Sequence, residues 1–405
     1  YVENGSTGTG TGNITVTGDG NTAIANFGTF TQTGGTIDVS GKDSIGIYAK
    51  DATSDTLIKN SIVNAKDGAV AFYADGSVGN ESTIKIDGVT SNIGDGGLLF
   101  FNYTGTGTGQ VGKFNILSSG MTANILSGGV AFYNRGNIGS EANFLNMITG
   151  NLTLDMKPGS RLFVFDDPGI TQNLSTIPTS VVGTSVSNAS GTGTINIIGS
   201  DYKYTTVNKA TLNIDQNVNL DQVGDSYYKV DFFSSNVNVG IPSSSIMTNN
   251  GNPIANSLKY AIAQKNSGTT ASSVTVDVKP TGQIRLTNQT GLLGVITDKG
   301  TIINNGIVES SGESGIGLLG ANGSIVTNNS SIIIGNGGAG IMGINVLPGG
   351  SIGNIDLTNN GTISYAPTSS TILPSYGIVA KNDNYVSSGT TSNVTLGSGS
   401  LIDLS

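Results

Sequence analysis

A four-residue apolar phrase returns along this chain at a nearly fixed interval. It reads Gly46-Ile47-Tyr48-Ala49, Ala71-Phe72-Tyr73-Ala74, Leu99-Phe100-Phe101-Asn102 and Ala131-Phe132-Tyr133-Asn134. Its second residue falls at 47, 72, 100 and 132, and again at Val164 in Leu162-Phe163-Val164-Phe165, in steps of 25, 28, 32 and 32 residues. A second series, Gly291-Leu292-Leu293-Gly294, Gly317-Leu318-Leu319-Gly320, Gly340-Ile341-Met342-Gly343 and Gly377-Ile378-Val379-Ala380, advances by 26, 23 and 37. Such a period marks one supersecondary unit repeated many times. A unit this short has no core of its own and buries its apolar side chains against its neighbours. The chain is therefore expected to stack in rungs and form a rod.

Two further markers support the same phase. Gly-Thr/Ser-Ile occurs at Gly35-Thr36-Ile37, Gly193-Thr194-Ile195, Gly300-Thr301-Ile302, Gly323-Ser324-Ile325, Gly350-Ser351-Ile352 and Gly361-Thr362-Ile363. Paired asparagines occur at Asn304-Asn305, Asn328-Asn329 and Asn359-Asn360. In registered rungs these side chains fall one above another, and stacked amides hydrogen-bond into a ladder.

Composition decides between helical and β rungs. Charged residues make up only 11% of the chain and hydrophobic residues 36%, while glycine numbers 61. A chain this poor in Glu, Lys, Arg and Leu does not build a helical solenoid. Short alternating runs such as Asn13-Ile14-Thr15-Val16-Thr17, Thr83-Ile84-Lys85-Ile86-Asp87 and Val274-Thr275-Val276-Asp277-Val278 read as strands with one buried face. The expected fold is all-β, a right-handed parallel β-helix. Rungs are expected over 1–169 and again over 271–405, with an irregular aromatic-rich insertion over 170–270. Within that insertion 253–266 reads as a short helix, capped by Asn252, started by Pro253 and closed by Gly268. Ile254, Leu258, Ala261 and Ile262 share one face of it.

Gly41-Lys42-Asp43-Ser44-Ile45-Gly46-Ile47-Tyr48-Ala49-Lys50, Lys66-Asp67-Gly68-Ala69-Val70-Ala71-Phe72-Tyr73-Ala74, Asn359-Asn360-Gly361-Thr362-Ile363-Ser364 and Tyr376-Gly377-Ile378-Val379-Ala380-Lys381-Asn382 carry a family likeness. At these repeats the chain resembles the passenger region of the large fusobacterial-type autotransporter adhesins, a branch of type V secretion. The resemblance implies display on the bacterial cell surface, anchored to the outer membrane through a C-terminal barrel absent from this sequence. It also implies attachment to host cells or to other bacteria through glycan or protein receptors. Tyr1 is not a start methionine and Leu401-Ile402-Asp403-Leu404-Ser405 ends within a strand-like run, so both ends are expected to be cut from a longer protein.

The same sequence argues against most chemistry. It has no histidine and no cysteine, and its net charge is −9 without a basic run. Nucleic acid is therefore not an expected partner, and no apolar stretch is long enough to span a membrane as a helix. Gly224-Asp225-Ser226 matches a serine-protease motif of some passengers, but no imidazole is present to take the hydroxyl proton. Asp166-Asp167 and Asp19 are read as turn residues rather than calcium ligands, and no cofactor or metal is expected. Carboxylate-only glycan cleavage is the enzymatic alternative. Its candidate groups are Arg161, Asp166 and Asp167, or Asp215, Asp221 and Asp225.

The expected function is thus receptor binding by a monomer, and the structural alternative is a stalk segment. Tyrosine offers a flat apolar ring and a hydroxyl at low entropic cost. On that ground Tyr202, Tyr204, Tyr227, Tyr228, Phe232 and Phe233 are the expected receptor-binding residues. Tyr48, Phe72, Phe100 and Phe132 are expected as interior stacks.

Overall fold

The computed structural model describes residues 1–139, 141–166, 171–174, 185–187, 193–199, 202–208, 211–214, 229–233, 236–239, 246–249, 259–265, 275–286, 290–345, 353–366, 373–382 and 391–405. They fall into two compact units, Tyr1–Gln172 with Val181–Thr205, and Asn173–Ser180 with Thr206–Ser405. Each unit contains strands of three sheets, parallel except where Ser185–Ser187 pairs antiparallel with Thr194–Gly199, and through the regular rungs each sheet takes every third strand.

In the first unit the first sheet runs Thr7–Gly10, Thr29–Thr33, Asp55–Lys59, Ser82–Asp87, Gly112–Ile116 and Ile148–Thr149. The second runs Ile14–Val16, Thr36–Ser40, Ile62–Lys66, Val89–Ile93, Met121–Ile125, Leu152–Met156 and Thr194–Gly199. The third runs Thr22–Asn26, Ile45–Lys50, Val70–Asp75, Leu98–Thr108, Val130–Asn137 and Arg161–Asp166. Strands are short because β-branched alternation is interrupted at each corner by residues that turn the backbone. Between the second and third sheets a left-handed residue recurs, Asp43 at φ 58°, Asp67 at 57°, Gly96 at 69°, Gly128 at 76° and Gly159 at 80°. Glycine and aspartate tolerate that conformation best. These corners bond to one another rung by rung, as in Asp43 N–H to Gly68 O at 3.2 Å and Asp67 N–H to Asp95 O at 2.8 Å.

Alternation along each strand sends one column of side chains inward. In the third sheet that column is Ile24, Ile47, Phe72, Phe100, Phe132 and Phe163, all buried. Its phenyl rings stack at centroid spacings of 5.8, 5.6 and 5.4 Å. The second sheet answers with Ile37, Val63, Ser91, Ala123, Leu154 and Ile197. Its smallest members belong to the rungs that carry the large rings. The recurring phrase continues at Phe163 rather than Val164, because Val164 pairs with Tyr133 and Phe163 with Phe132. A one-residue slip exchanges inward and outward faces.

The helix Glu141–Asn146 interrupts this pattern. It brings Phe144 into the core, where its ring lies 5.7 Å from Phe132 and 5.4 Å from Phe163. The first sheet then ends on the two-residue strand Ile148–Thr149.

The second unit repeats the plan with aliphatic columns. One sheet includes Asn236–Val239, Thr275–Val278, Thr301–Asn304, Ile325–Asn328, Ile355–Asn359 and Ser392–Leu396. Another runs Ile246–Asn249, Gln283–Leu286, Ile307–Ser310, Ser331–Ile334, Thr362–Tyr365 and Leu401–Asp403. The third includes Lys229–Phe233, Lys259–Lys265, Leu292–Asp298, Ile316–Ala321, Ala339–Asn345 and Tyr376–Asn382. Registered columns Val276-Ile302-Val326-Leu357 and Ile284-Val308-Ile332-Ile363 are wholly buried. The phrase Gly294-Val295 precedes Gly317-Leu318, Gly340-Ile341 and Gly377-Ile378 in this unit, so Gly291-Leu292 is out of phase by three residues.

The glycine of the phrase has a packing role. A Cβ on Gly317 would lie 2.6 Å from Ile332 Cγ2 and 2.8 Å from Gly340 O. Gly340 and Gly377 meet Ile363 Cγ2 and Ile402 Cγ2, each at 2.6 Å. Only hydrogen fits beneath the isoleucine column.

The helix expected over 253–266 is corrected in its second half. Residues 259–265 form a strand that pairs in parallel with Val230–Phe233 and with Leu292–Asp298. Ala261-Ile262-Ala263-Gln264 is one more copy of the repeated phrase, with Ile262 in register with Val295 of the column and both Ala261 and Ile262 buried. Rung pairing there outweighs local helix propensity. Asn252, Pro253 and Gly268 lie outside the described residues, as do 253–258. The Gly-Thr/Ser-Ile marker sits in more than one sheet, since Thr301 pairs with Ile325 whereas Thr362 pairs with Ser331. It marks a strand start and not one fixed phase of the rung. Gly350-Ser351-Ile352 lies outside the described residues.

Candidate binding surface on the first unit

Each copy of the phrase in the first unit carries two large residues in succession. Alternation sends the second residue inward and the third outward. The third residues are Tyr48, Tyr73, Phe101 and Tyr133, directly paired from strand to strand. Tyr48 was expected inside with Phe72, but Ile47 takes the inward position and Tyr48 stands half-exposed on the outer face. The outer rings form a continuous row. Tyr1 and Phe27 are 5.1 Å apart, Phe27 and Tyr48 6.0 Å, Tyr48 and Tyr73 5.3 Å, Tyr73 and Phe101 4.9 Å, and Phe101 and Tyr133 5.7 Å.

Polar groups fix the row at its margins. The Tyr48 hydroxyl donates to Asp75 Oδ2 at 2.5 Å, and Lys50 Nζ reaches the same oxygen at 2.9 Å. The Tyr133 hydroxyl donates to Asp166. Burial, with the Asp75 carboxylate second, pushes the Tyr48 phenol up to about 12. Burial likewise raises Tyr73 and Tyr133, the latter aided by Asp166. These phenols stay protonated and act as fixed, neutral surfaces rather than bases. Arg135 lies over the Tyr103 ring at 5.7 Å, a cation–π contact.

Beside the row runs a groove of about 380 Å³. Tyr73, Phe101 and Tyr133 form one wall, and Ile45, Val70 and Leu98 form the other. Lys42, Asp43 and Arg135 also line it. This is the composition of a ligand site, an apolar lining with a few polar groups that orient what enters. A second groove, of about 470 Å³, follows the outer face of the second sheet and includes Asp38, Asn64 and Asn92. Its amides are engaged in a ladder. Asn124 donates to Asn92, Asn92 to Asn64 and Asn64 to Asp38, at 2.8, 2.8 and 2.7 Å. That face is stitched to itself, whereas on the aromatic face Tyr48, Phe101 and Tyr133 stay partly exposed and Tyr73 only 9% exposed.

The residues expected to bind receptor are placed elsewhere. Tyr202 is 2% exposed, so its ring offers no surface to a partner in this conformation. Tyr204 lies in the strand Lys203–Asn208, and Phe232 and Phe233 in Lys229–Phe233. Tyr227 and Tyr228 lie outside the described residues, as do Asp167, Asp215, Asp221, Gly224, Asp225 and Ser226. Asp19 serves its corner, accepting the Lys42 backbone N–H at 2.8 Å. Among the described residues no cluster of three metal-ligating side chains occurs, and no helix is long and apolar enough to cross a membrane. The outer row was legible in the aromatic third position of all four phrases. Reading the phrase as one interior block concealed it.

No protein-family model matches the chain, and no curated protein matches it.

Proposed function

We propose that this chain is a passenger segment of a secreted bacterial surface adhesin of the autotransporter type. In this reading it is a right-handed parallel β-helix displayed on the outer surface of the cell. It attaches that cell to host cells or to other bacteria through a preformed surface, without chemistry. The supporting observation is the outer aromatic row and its groove on the first unit. An aromatic face of this extent is not needed for the rung core, which already has its own inward phenylalanine column. Tyr48, Phe101 and Tyr133 are partly exposed along it, and a contiguous apolar patch on an otherwise polar protein marks an interaction site.

The test is binding of the soluble chain, its β content checked by circular dichroism, to cultured host cells and to a panel of bacteria. The expected result is saturable binding that falls roughly tenfold or more in Phe101→Ala and Tyr133→Ala, as for aromatic anchors at interface centres. Binding lost only on Ala substitution of Tyr204, Tyr227 and Tyr228 moves the contact to the middle of the chain. A folded chain that binds no surface favours the stalk alternative.

A further inference from the structure

We infer that Tyr48 and Tyr73 form a site of oxidative cross-linking, where a one-electron oxidant, a peroxidase with hydrogen peroxide, joins their rings as dityrosine. Three observations carry this. The first is juxtaposition. Tyr48 and Tyr73 are direct partners on the adjacent strands Ile45–Lys50 and Val70–Asp75, with ring centroids 5.3 Å apart and planes inclined at 54°. Among the described residues this is the one ring contact made by two tyrosines. Phe27 and Phe101 flank the pair, at 6.0 and 4.9 Å. Phenylalanine is far harder to oxidise than a phenol, so a radical formed on either tyrosine is confined to the two rings.

The second is a shared proton acceptor. A phenol loses an electron far more readily when its proton can leave with it. Asp75 Oδ2 accepts the Tyr48 hydroxyl at 2.5 Å and is held from the other side by Lys50 Nζ at 2.9 Å. Burial raises the Tyr73 phenol, and the same carboxylate adds to it. One carboxylate thus acts on both hydroxyls.

The third is access. Tyr48 stands half-exposed and meets the oxidant, whereas Tyr73, at 9% exposure, is reached through the Tyr48 ring. A ring so enclosed is not free to pair with another molecule, so coupling stays within the chain. Each phenol loses one electron to the oxidant and its hydroxyl proton by way of Asp75 to water. The two radicals join through ring carbons ortho to the oxygens, and the two ortho hydrogens move to the oxygens to restore the phenols. One C–C bond forms and two C–H bonds break, while one hydrogen peroxide is reduced to two waters. The product ties adjacent rungs across 25 residues in a chain without cysteine. Such a link restricts the unfolded chain as a disulfide does.

The test treats the whole chain, at high dilution, with a peroxidase and limiting hydrogen peroxide, and reads dityrosine fluorescence and the masses of proteolytic peptides. The expected result is one linked pair, the peptides carrying Tyr48 and Tyr73, lighter by two hydrogens than the two apart, with a raised urea midpoint. Tyr48→Phe and Tyr73→Phe should each lower the fluorescence at least tenfold. Phenylalanine already fills the same outer column at Phe101, so both variants keep the stack. Asp75→Asn should slow the reaction at least threefold, while Tyr376→Phe, at an exposed ring of the second unit, changes nothing. Links made chiefly by the exposed Tyr1, Tyr103 or Tyr376 overturn the inference. So does fluorescence that survives Tyr73→Phe, a rate that ignores Asp75→Asn, or a yield of the same pair as high in urea-unfolded chain. Absence of the linked pair from the folded, treated chain overturns it too.

Discussion

Two asparagine columns in the second unit differ chiefly in which way their side chains face. Asn304 donates to Asn328 and Asn328 to Asn359 inside the stack, at 2.8 and 2.7 Å. On the outside Asn360 donates to Asn329 and Asn329 to Asn305, at 2.8 and 2.9 Å. Asn305 donates in turn to Asp277. An ionised carboxylate only accepts, so Asp277 fixes the direction of the outer ladder, as Asp38 does in the first unit. Burial sets the energetic difference between the columns. Asn328→Ala removes the buried hydrogen bonds to Asn359 and from Asn304, which keeps Ser331 O as an acceptor, and is expected to cost about 1–3 kcal/mol for each group left unsatisfied. Asn329→Ala leaves its partners to water and should change stability by only about 0.5 kcal/mol. Denaturant titration of the two variants checks this, and equal effects would contradict it. Tyr48 makes a second prediction. Its folded pKa, near 12 against an ordinary 10.0, means the folded chain holds the proton more tightly than the unfolded chain does. That contribution is intact below about pH 10 and is lost as pH rises toward 12. Urea midpoints should therefore fall across this window, and less steeply in Tyr48→Phe.

At the scale of elements, the rung is a compromise between a repeated phrase and the neighbours it meets. Gly317, Gly340 and Gly377 lie under isoleucines of an adjacent sheet, so Gly317→Ala is expected to destabilise by about 1–3 kcal/mol through overpacking. A neutral outcome in thermal unfolding would show that the isoleucine column shifts to make room. Strands, corners and the asparagine ladder were legible in the sequence because each rests on local chemistry: alternation, left-handed glycine or aspartate, and paired amides. Phase was less legible. Val164 for Phe163 and Leu292 for Val295 are slips of one and three residues within apolar runs, where composition does not say which residue faces in. The strand at 259–265 was hidden because Ala, Leu, Lys and Gln around it favour helix locally. Its partner strands, far along the chain, decide otherwise. The helix carrying Phe144 is only 6 residues long, too short for an amphipathic periodicity to announce it.

At the scale of the molecule, stacking makes stability a sum of nearest-neighbour terms. Phe144 touches the rings of Phe132, Phe163 and Phe165. Phe144→Ala is expected to cost about 3–5 kcal/mol. It should raise amide hydrogen exchange in the strands holding those rings while leaving Thr301–Asn304 and Ile325–Asn328 protected. Loss of protection throughout both units would contradict the additive picture. In the proposed reading the two aromatic columns divide by function, an inward one for cohesion and an outward one for contact. The most direct test compares Phe100→Leu, in the inward column, with Phe101→Leu, in the outward column, by unfolding and by cell binding on the same preparations. The account predicts that Phe100→Leu lowers stability and keeps binding at temperatures where the chain stays folded, whereas Phe101→Leu keeps stability and loses binding. Binding that survives Phe101→Leu at full strength would contradict the assignment of the outer row as the adhesive surface.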